Sequence, residues 1–305
     1  MLSLKQGDPI AKVTTSKDKE YEISIYGKDN FNINKEEEPQ NKVDNELALL
    51  DDVFYKTNSI KNKNKLLKDL GDGVENEQTD LAKEYIDTSM RKKYKVNIKD
   101  NIFPIPQLFS ERIYISAPSG AGKSYFTAEY ILEIRKKFGK KREIFIFSRV
   151  DEDKSLDDKL PAKYVTRVPL EDKLWNEVVF QPEDFKNAIC VFDDIDMISD
   201  KKLARKVQAL RNNMLETGRH SKITVISTSH QIQNFLETRT LINEAQAVVL
   251  FPRSSSKYHV GAFLEKHMGL NLAQINEIYN LPTRWIYVHK QYPRYLIYQH
   301  GVYLL

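Results

Sequence analysis

Five short apolar runs mark the second two-thirds of the chain: RIYISA (112–117), EIFIFS (143–148), AICVFD (188–193), ITVIST (223–228) and QAVVLF (246–251). Most are rich in β-branched or aromatic residues, which predicts strands. Their apolar character is near-continuous, and helical stretches separate several of them. That combination predicts a mainly parallel sheet with helices on both faces. After the first run, Phe126, Tyr130, Ile131 and Ile134 share one helical face, and Gly139 follows as a stop. After the third, Leu203, Val207, Leu210 and Met214 do the same, and Gly218 ends that helix. Beyond the fifth, SKYHVGAFLEKHMG and LNLAQINEIYNL predict two helices, and RWIYVHK and RYLIYQH predict a hairpin across QYP.

The first hundred residues have a different texture. Alternation in KVTTSKDKEYEISIYG predicts a β-hairpin at about 10–26. NINKEEEPQNKVDN reads as a polar linker. Leu47, Leu50 and Phe54 fall at helical spacing, residues 60–78 are rich in Lys, Asn and Glu, and another helix is expected from near Thr79. The chain therefore divides near residue 100, into a small α+β accessory region over 1–100 and an α/β domain over 101–305.

Composition changes this picture only a little. The lone cysteine, Cys190, excludes an internal disulfide framework and a cysteine-rich zinc site, and fits a reducing compartment. No run is long enough to cross a bilayer, and MLSLKQGDPIAKVTTSKDKE is too polar for a signal peptide. Residues 1–100 hold 18 Lys+Arg against 20 Asp+Glu; of 47 and 43 in all, the remainder holds 29 against 23. That excess of 6 favours a polyanionic partner slightly.

The chemistry begins where the first strand meets the first helix. Ala117, Pro118, Ser119, Gly120, Ala121, Gly122, Lys123 and Ser124, with Tyr125 just beyond, follow the phosphate-loop pattern G-x-x-x-x-G-K-[ST], with alanine in the first position. Gly120 and Gly122 let backbone N–H groups turn inward on phosphate oxygens, and the helix N-terminus adds its positive end. Lys123 would reach the β- and γ-phosphates of ATP, and Ser124 would ligate Mg²⁺. NAICVFDDIDMI supplies the metal-holding carboxylate: Asp193 stands at a strand terminus, where open α/β sheets bind ligands. Asp194 is placed to orient the attacking water, with Asp196 the rival for that role. The strand ITVIST runs into Thr228, Ser229, His230 and Gln231, and His230 or Gln231 is expected to sense the γ-phosphate.

Walker A, the VFDD Walker B, GRHSKITVISTSHQ and RTLINEAQAVVLFPR together resemble the FtsK–HerA superfamily. They are most similar to the poxvirus-type genome-packaging ATPases of large DNA viruses and virophages. The resemblance spans about residues 110–300 and includes the tail RWIYVHKQYPRYLIYQHGVYLL. It implies a RecA-like P-loop fold of the ASCE kind, with the sensor strand between the Walker A and Walker B strands. It also implies a pentameric or hexameric homo-oligomeric ring that pumps double-stranded DNA into a capsid, with capsid or portal-vertex proteins as partners. The expected location is the virus factory of the host cytoplasm or the virion. Two residues depart from the pattern: Ala117 replaces glycine, and His230 stands where FtsK-like proteins usually carry glutamine. Transition-state charge calls for a cation, and an arginine finger from a neighbouring subunit can supply it. Arg211, Arg219 and Arg239 are the candidates.

Other classes fit less well. NKVD (41–44) matches a guanine-reading motif, but it follows no apolar strand, and DDID stands where D-x-x-G would be. A small-molecule kinase, a helicase or DNA-transfer ATPase, and a nucleotide-binding assembly scaffold are the remaining alternatives. In the tail, Arg284, Trp285, Tyr287, Lys290, Arg294 and Tyr295 interleave basic and aromatic character. They read either as a face toward DNA phosphates or as a strand with one packed side. His259, His267, His289 and His300 show no metal spacing.

Overall fold

A computed structural model describes residues 2–3, 7–15, 19–25, 95–97, 101–232 and 238–305. The expected linker, the NKVD motif, the helix carrying Leu47, the polar stretch 60–78 and the helix near Thr79 lie outside the described residues. At the N-terminus come β1 (Leu2–Ser3), β2 (Asp8–Thr14) and β3 (Glu20–Ile25), followed by β4 (Lys95–Asn97) and β5 (Asn101–Pro104). β2 and β3 form the expected hairpin, within an antiparallel sheet of order β1-β3-β2-β5. The two strands that flank residue 100 part company: β5 joins this small sheet, whereas β4 joins the edge of the large one.

The remaining elements are β6 (Arg112–Ser116), α1 (Lys123–Phe138), β7 (Ile144–Ser148), α2 (Lys154–Asp157), β8 (Val165–Pro169), α3 (Asp172–Glu177), β9 (Ile189–Phe192), α4 (Lys201–Thr217), β10 (Thr224–Ser229), α5 (Arg239–Glu244) and β11 (Ala247–Leu250). They are followed by α6 (Lys257–Met268), α7 (Leu272–Asn280), β12 (Ile286–His289), β13 (Tyr295–Tyr298) and β14 (Gly301–Leu304). The large sheet has ten strands in the order β4-β14-β13-β12-β11-β6-β10-β9-β7-β8. From β8 to β11 all neighbours are parallel, and from β11 to β4 all are antiparallel. This is the RecA-like arrangement expected: β10, the sensor strand, lies between the Walker A strand β6 and the Walker B strand β9.

Alternate residues of each central strand feed two cores. Ile113, Ile115, Ile226 and Val249 face α1, where Phe126, Tyr130, Ile131 and Ile134 pack with Ile10, Val13 and Ile23 of the small sheet. Phe103 of β5 lies 5.0 Å from Phe126, which in turn lies 5.0 Å from Trp285, and Lys12 pairs with Glu133. The small sheet is thus seated on α1. On the other face, Tyr114, Val225 and Val248 pack against Leu203, Val207, Leu210 and Met214 of α4, with α6 and α7 alongside. Among the described residues no helix is long and apolar enough to cross a membrane.

Candidate nucleotide site

β6 and β10 run side by side to Ser116 and Ser229, which are in register. The next residue, Ala117, is fully buried and donates its N–H to the Ser229 carbonyl at 3.1 Å. Its backbone φ is not positive, so alanine costs nothing there. Gly120 and Gly122 do need glycine, with φ of 75° and 108°. Pro118 and Ser119 are exposed at the loop tip, and the Ala121 N–H closes the loop onto the Pro118 carbonyl at 3.3 Å. Gly122 is the N-cap of α1 and offers no side chain to the first-turn N–H groups, while Arg135, Lys136 and Lys137 occupy the last turn. The helix therefore presents an uncapped positive end to the loop. Ser124 is half-buried in that first turn. Tyr125 is exposed, with the Lys159 ammonium 3.8 Å from its ring centroid.

Lys123, 6% exposed, has its Nζ 2.9 Å from the Ala117 carbonyl, 3.2 Å from Asp194 Oδ1 and 3.3 Å from His230 Nδ1. His230 Nε2 is in turn 3.0 Å from Asp194 Oδ2. A histidine with the proton on Nε2 satisfies both neighbours, accepting from the ammonium and donating to the carboxylate. Asp194 is in the left-handed region at φ 46°, which turns its side chain out of the strand direction toward Lys123. Its N–H donates to Thr228 Oγ1 at 2.9 Å. The Thr228 hydroxyl lies 2.9 Å from Asp193 Oδ1 and 3.0 Å from Asp194 Oδ1, so its one proton bridges the two carboxylates. Ser148 at the end of β7 donates to Asp193 Oδ2 at 3.1 Å. Burial, followed by the Asp194 charge, pushes the Asp193 carboxyl above its ordinary range.

Asp196 serves a different neighbour. Its Oδ2 accepts from Ser229 Oγ at 2.9 Å and from the His230 N–H at 3.2 Å, which fixes the turn that carries His230. The Gln231 side chain is exposed, and its backbone is held instead: its N–H donates to Ser229 Oγ at 3.0 Å and its carbonyl accepts from the Tyr114 hydroxyl. Of the three arginines, Arg211 is 3% exposed and bonds Asn212 Oδ1 at 3.0 Å, whereas Arg219 and Arg239 are exposed. Arg219 sits before β10, at the opposite end of the sheet from Lys123. Sequence reasoning missed Ser148 and its neighbour Arg149, whose Nη1 donates to the Met197 carbonyl at 2.8 Å beside the Walker B turn. The available signal was a polar residue at the end of an apolar strand, which acquires meaning only once β7 is known to adjoin β9.

The rings of Tyr287 and Tyr295 are buried, as is Trp285, and Lys290 is engaged with the Ile242 and Ala245 carbonyls. The tail therefore takes the packed-strand reading, with no exposed stacking platform among these rings.

The donor set suits magnesium nucleotide. A carboxylate and a hydroxyl are hard oxygen ligands, and magnesium takes one or two of these and completes its shell with water and phosphate oxygens. It needs no cage of three or more ligands, and among the described residues no such group of His, Cys, Asp or Glu occurs.

No protein-family model matches the chain. An uncharacterized protein, V3, of Sputnik virophage is 38% identical over 201 residues, covering 65% of this chain and 78% of the relative. Among solved structures, the genome-packaging NTPase B204 of Sulfolobus turreted icosahedral virus 2, in complex with AMPPCP, aligns at a TM-score of 0.43 with 13% identity, over 63% of this chain and 98% of that one. The conjugation coupling protein TcpA of pCW3 aligns at 0.43 with 10% identity, over 68% and 64%. The cytoplasmic domain of the type VII secretion ATPase EccC of Thermomonospora curvata aligns at 0.43 with 11% identity, over 69% and 29%.

Proposed function

The chain belongs to the family of the Sputnik virophage V3 protein, and on that premise we propose that it is an ATP-driven motor that moves double-stranded DNA into a viral capsid. The observation that carries the ATPase reading is the Lys123–Asp194–His230 triangle, set beside Asp193 at the ends of β6, β9 and β10. The FtsK–HerA-like segments extend it to DNA packaging, and the virophage source of the relative fits a viral capsid as the destination.

The glycine turns and the α1 N-terminus cradle the triphosphate, and Lys123 moves from Asp194 to the β- and γ-phosphates. Ser124 and Asp193 would hold magnesium, which when bound would supply neutralisation of the charge building on the phosphate oxygens. Asp194, released by Lys123, orients the attacking water, and His230 senses the γ-phosphate in place of Gln231. Asp196 and Thr228 act through these groups by positioning them. The transition-state arginine comes from a neighbouring subunit of a ring, for which Arg219 and Arg239 are the exposed candidates. The ATPase is assigned to residues 101–305 with 1–100 as an accessory region, working in the host cytoplasm or virion where capsids fill.

A DNA-stimulated ATPase assay on the purified full chain tests this reading. Hydrolysis is expected to need magnesium, to rise with duplex DNA, and to rise per subunit with protein concentration as rings assemble. Absence of ATP turnover with magnesium and duplex present, at concentrations where rings demonstrably form, overturns it.

A further inference from the structure

Three turns meet at the N-terminal ends of the central strands: residues 139–142 before β7, 186–188 before β9 and 218–222 before β10. Two arginines stitch them together from the inside. Arg135 Nη1 donates to the Arg142 carbonyl at 2.9 Å, and its Nη2 donates to the Lys140 carbonyl. Arg142 Nε donates to the Asn187 carbonyl at 2.9 Å, and its Nη2 lies 2.8 Å from the Ala188 carbonyl and 3.3 Å from that of Lys222. The Asn187 N–H donates to the Ser221 carbonyl at 2.9 Å. Asn187 and Lys222 both adopt left-handed backbone, with φ of 63° and 56°. The carbonyl oxygens of this edge are therefore turned inward onto guanidinium groups.

What remains outside is cationic. Lys140, Lys141, Lys186, Arg219 and Lys222 are all exposed, with His220 among them; the three turns contain no acid, and the exposed acids that flank them are Glu143, Glu183, Asp184 and Glu216. Among the described residues none of these five cations forms an ion pair, whereas Lys12, Lys136, Lys159 and Arg167 elsewhere on the surface pair with carboxylates. Lys141, Lys186, Glu143 and Asn187 also line an open depression of about 370 Å³. A rigid ridge of unpaired cations on tied-down backbone has the form of a phosphate-backbone contact, in which charge positions the duplex.

We propose that these three turns grip the sugar–phosphate backbone of duplex DNA, at the opposite end of the sheet from the nucleotide. The strands that lead from these turns are four to six residues long, so roughly 13–20 Å of rigid sheet separates the two sites. The inference rests on the DNA reading above and names the surface that reading lacks.

The test is a fluorescence titration of the full chain with a 40-base-pair duplex of random sequence across salt concentrations, with a non-hydrolysable ATP analogue present. In the triple variant Lys140→Ala/Lys141→Ala/Lys186→Ala, the slope of log K against log salt is expected to fall by about 2–3, at about 0.9 per lost phosphate contact. The corresponding triple Arg variant should restore both affinity and slope, which separates lost charge from lost fold. Wild-type binding with an unchanged slope in the triple Ala variant overturns the ridge while leaving the DNA reading intact. A wild-type protein that binds no duplex at low salt overturns both. Loss of binding to anionic lipid vesicles with duplex binding unchanged assigns the ridge to a membrane surface and also overturns the proposal.

Discussion

At the C-terminal ends of β6, β9 and β10, Lys123, Asp194 and His230 lie within 3.3 Å of one another and neutralise each other's charge. At the N-terminal ends, Lys140, Lys141, Lys186, Arg219 and Lys222 stand exposed with no carboxylate partner among the described residues. The first arrangement is a balanced, largely buried network, in which each group is held by at least two others and each removal leaves a partner stranded. The second is a set of solvated charges, each worth little alone and summing over a long polyanion. One sheet thus supports two kinds of electrostatics: cooperative and specific at one end, additive and unspecific at the other.

The sharpest way to break this contrast is at the balanced end. Asp194→Asn keeps the size of the side chain and removes its charge, so nucleotide analogue still binds while hydrolysis falls about 10²–10⁴-fold. Asp196→Asn should cost much less in rate, because Asp196 accepts from Ser229 and the His230 N–H and does not reach Lys123. Steady-state hydrolysis measured beside analogue affinity separates the two. Near-normal turnover by the Asp194→Asn protein would transfer the water-orienting role to Asp196.

At the additive end, the exposed charges should be dispensable for stability, while the arginine beneath them is not. Burial pushes the Arg142 guanidinium down to about 10, so it stays charged at neutral pH. It serves the carbonyls of Phe109, Asn187, Ala188 and Lys222 and the Thr224 hydroxyl. Arg142→Met leaves the Asn187 and Lys222 carbonyls without this donor, while Thr224 still serves those of Phe109 and Ala188, and an expected loss of about 3–5 kcal/mol follows. Urea unfolding with an unchanged m-value measures it. A loss below about 1 kcal/mol would show that water replaces the guanidinium and that the ridge is not stapled.

How much of this was legible in the sequence depends on how far each feature reaches along the chain. The five apolar runs became β6, β7, β9, β10 and β11 because strands buried on both faces must be apolar at every position. β8 was missed: at the sheet edge, Val165, Thr166 and Arg167 are half-buried or exposed, so no apolar run forms. β4, with three residues, is too short for a period to show. The phosphate loop is local and was readable residue by residue. The choice between Asp194 and Asp196, and between His230 and Gln231, was left open. It turns on the left-handed backbone at Asp194 and on the hydrogen bonds that hold Asp196 and the His230 turn. Thr228 and Ser148 acquire their role only from the order β10-β9-β7. The basic ridge was least visible, because its three turns are separated by tens of residues and their charge dissolves into a modest net excess.

The smallest expected effect concerns the buried counterpart of those exposed lysines. Glu111, fully buried at the N-terminal end of β6, accepts from the Tyr130 hydroxyl at 2.7 Å and from the Gln107 N–H at 3.3 Å. Burial raises its carboxyl from 4.5 to about 7, with the Tyr130 hydrogen bond opposing. The folded protein therefore holds this proton more tightly than the unfolded chain does. Stability from this group is full below pH 4.5 and drains away as pH climbs to 7, by up to about 3 kcal/mol if the whole shift is realised. Glu111→Gln removes the titration and keeps an oxygen for Tyr130. Its unfolding free energy relative to wild type should therefore climb between pH 4.5 and pH 8, whatever the offset left by the new amide N–H groups. Paired urea titrations at four pH values across that window read the slope directly. Parallel pH profiles for the two proteins would show that Glu111 is ionised in the folded state with a compensating cation close by, which would extend balanced electrostatics to this edge as well.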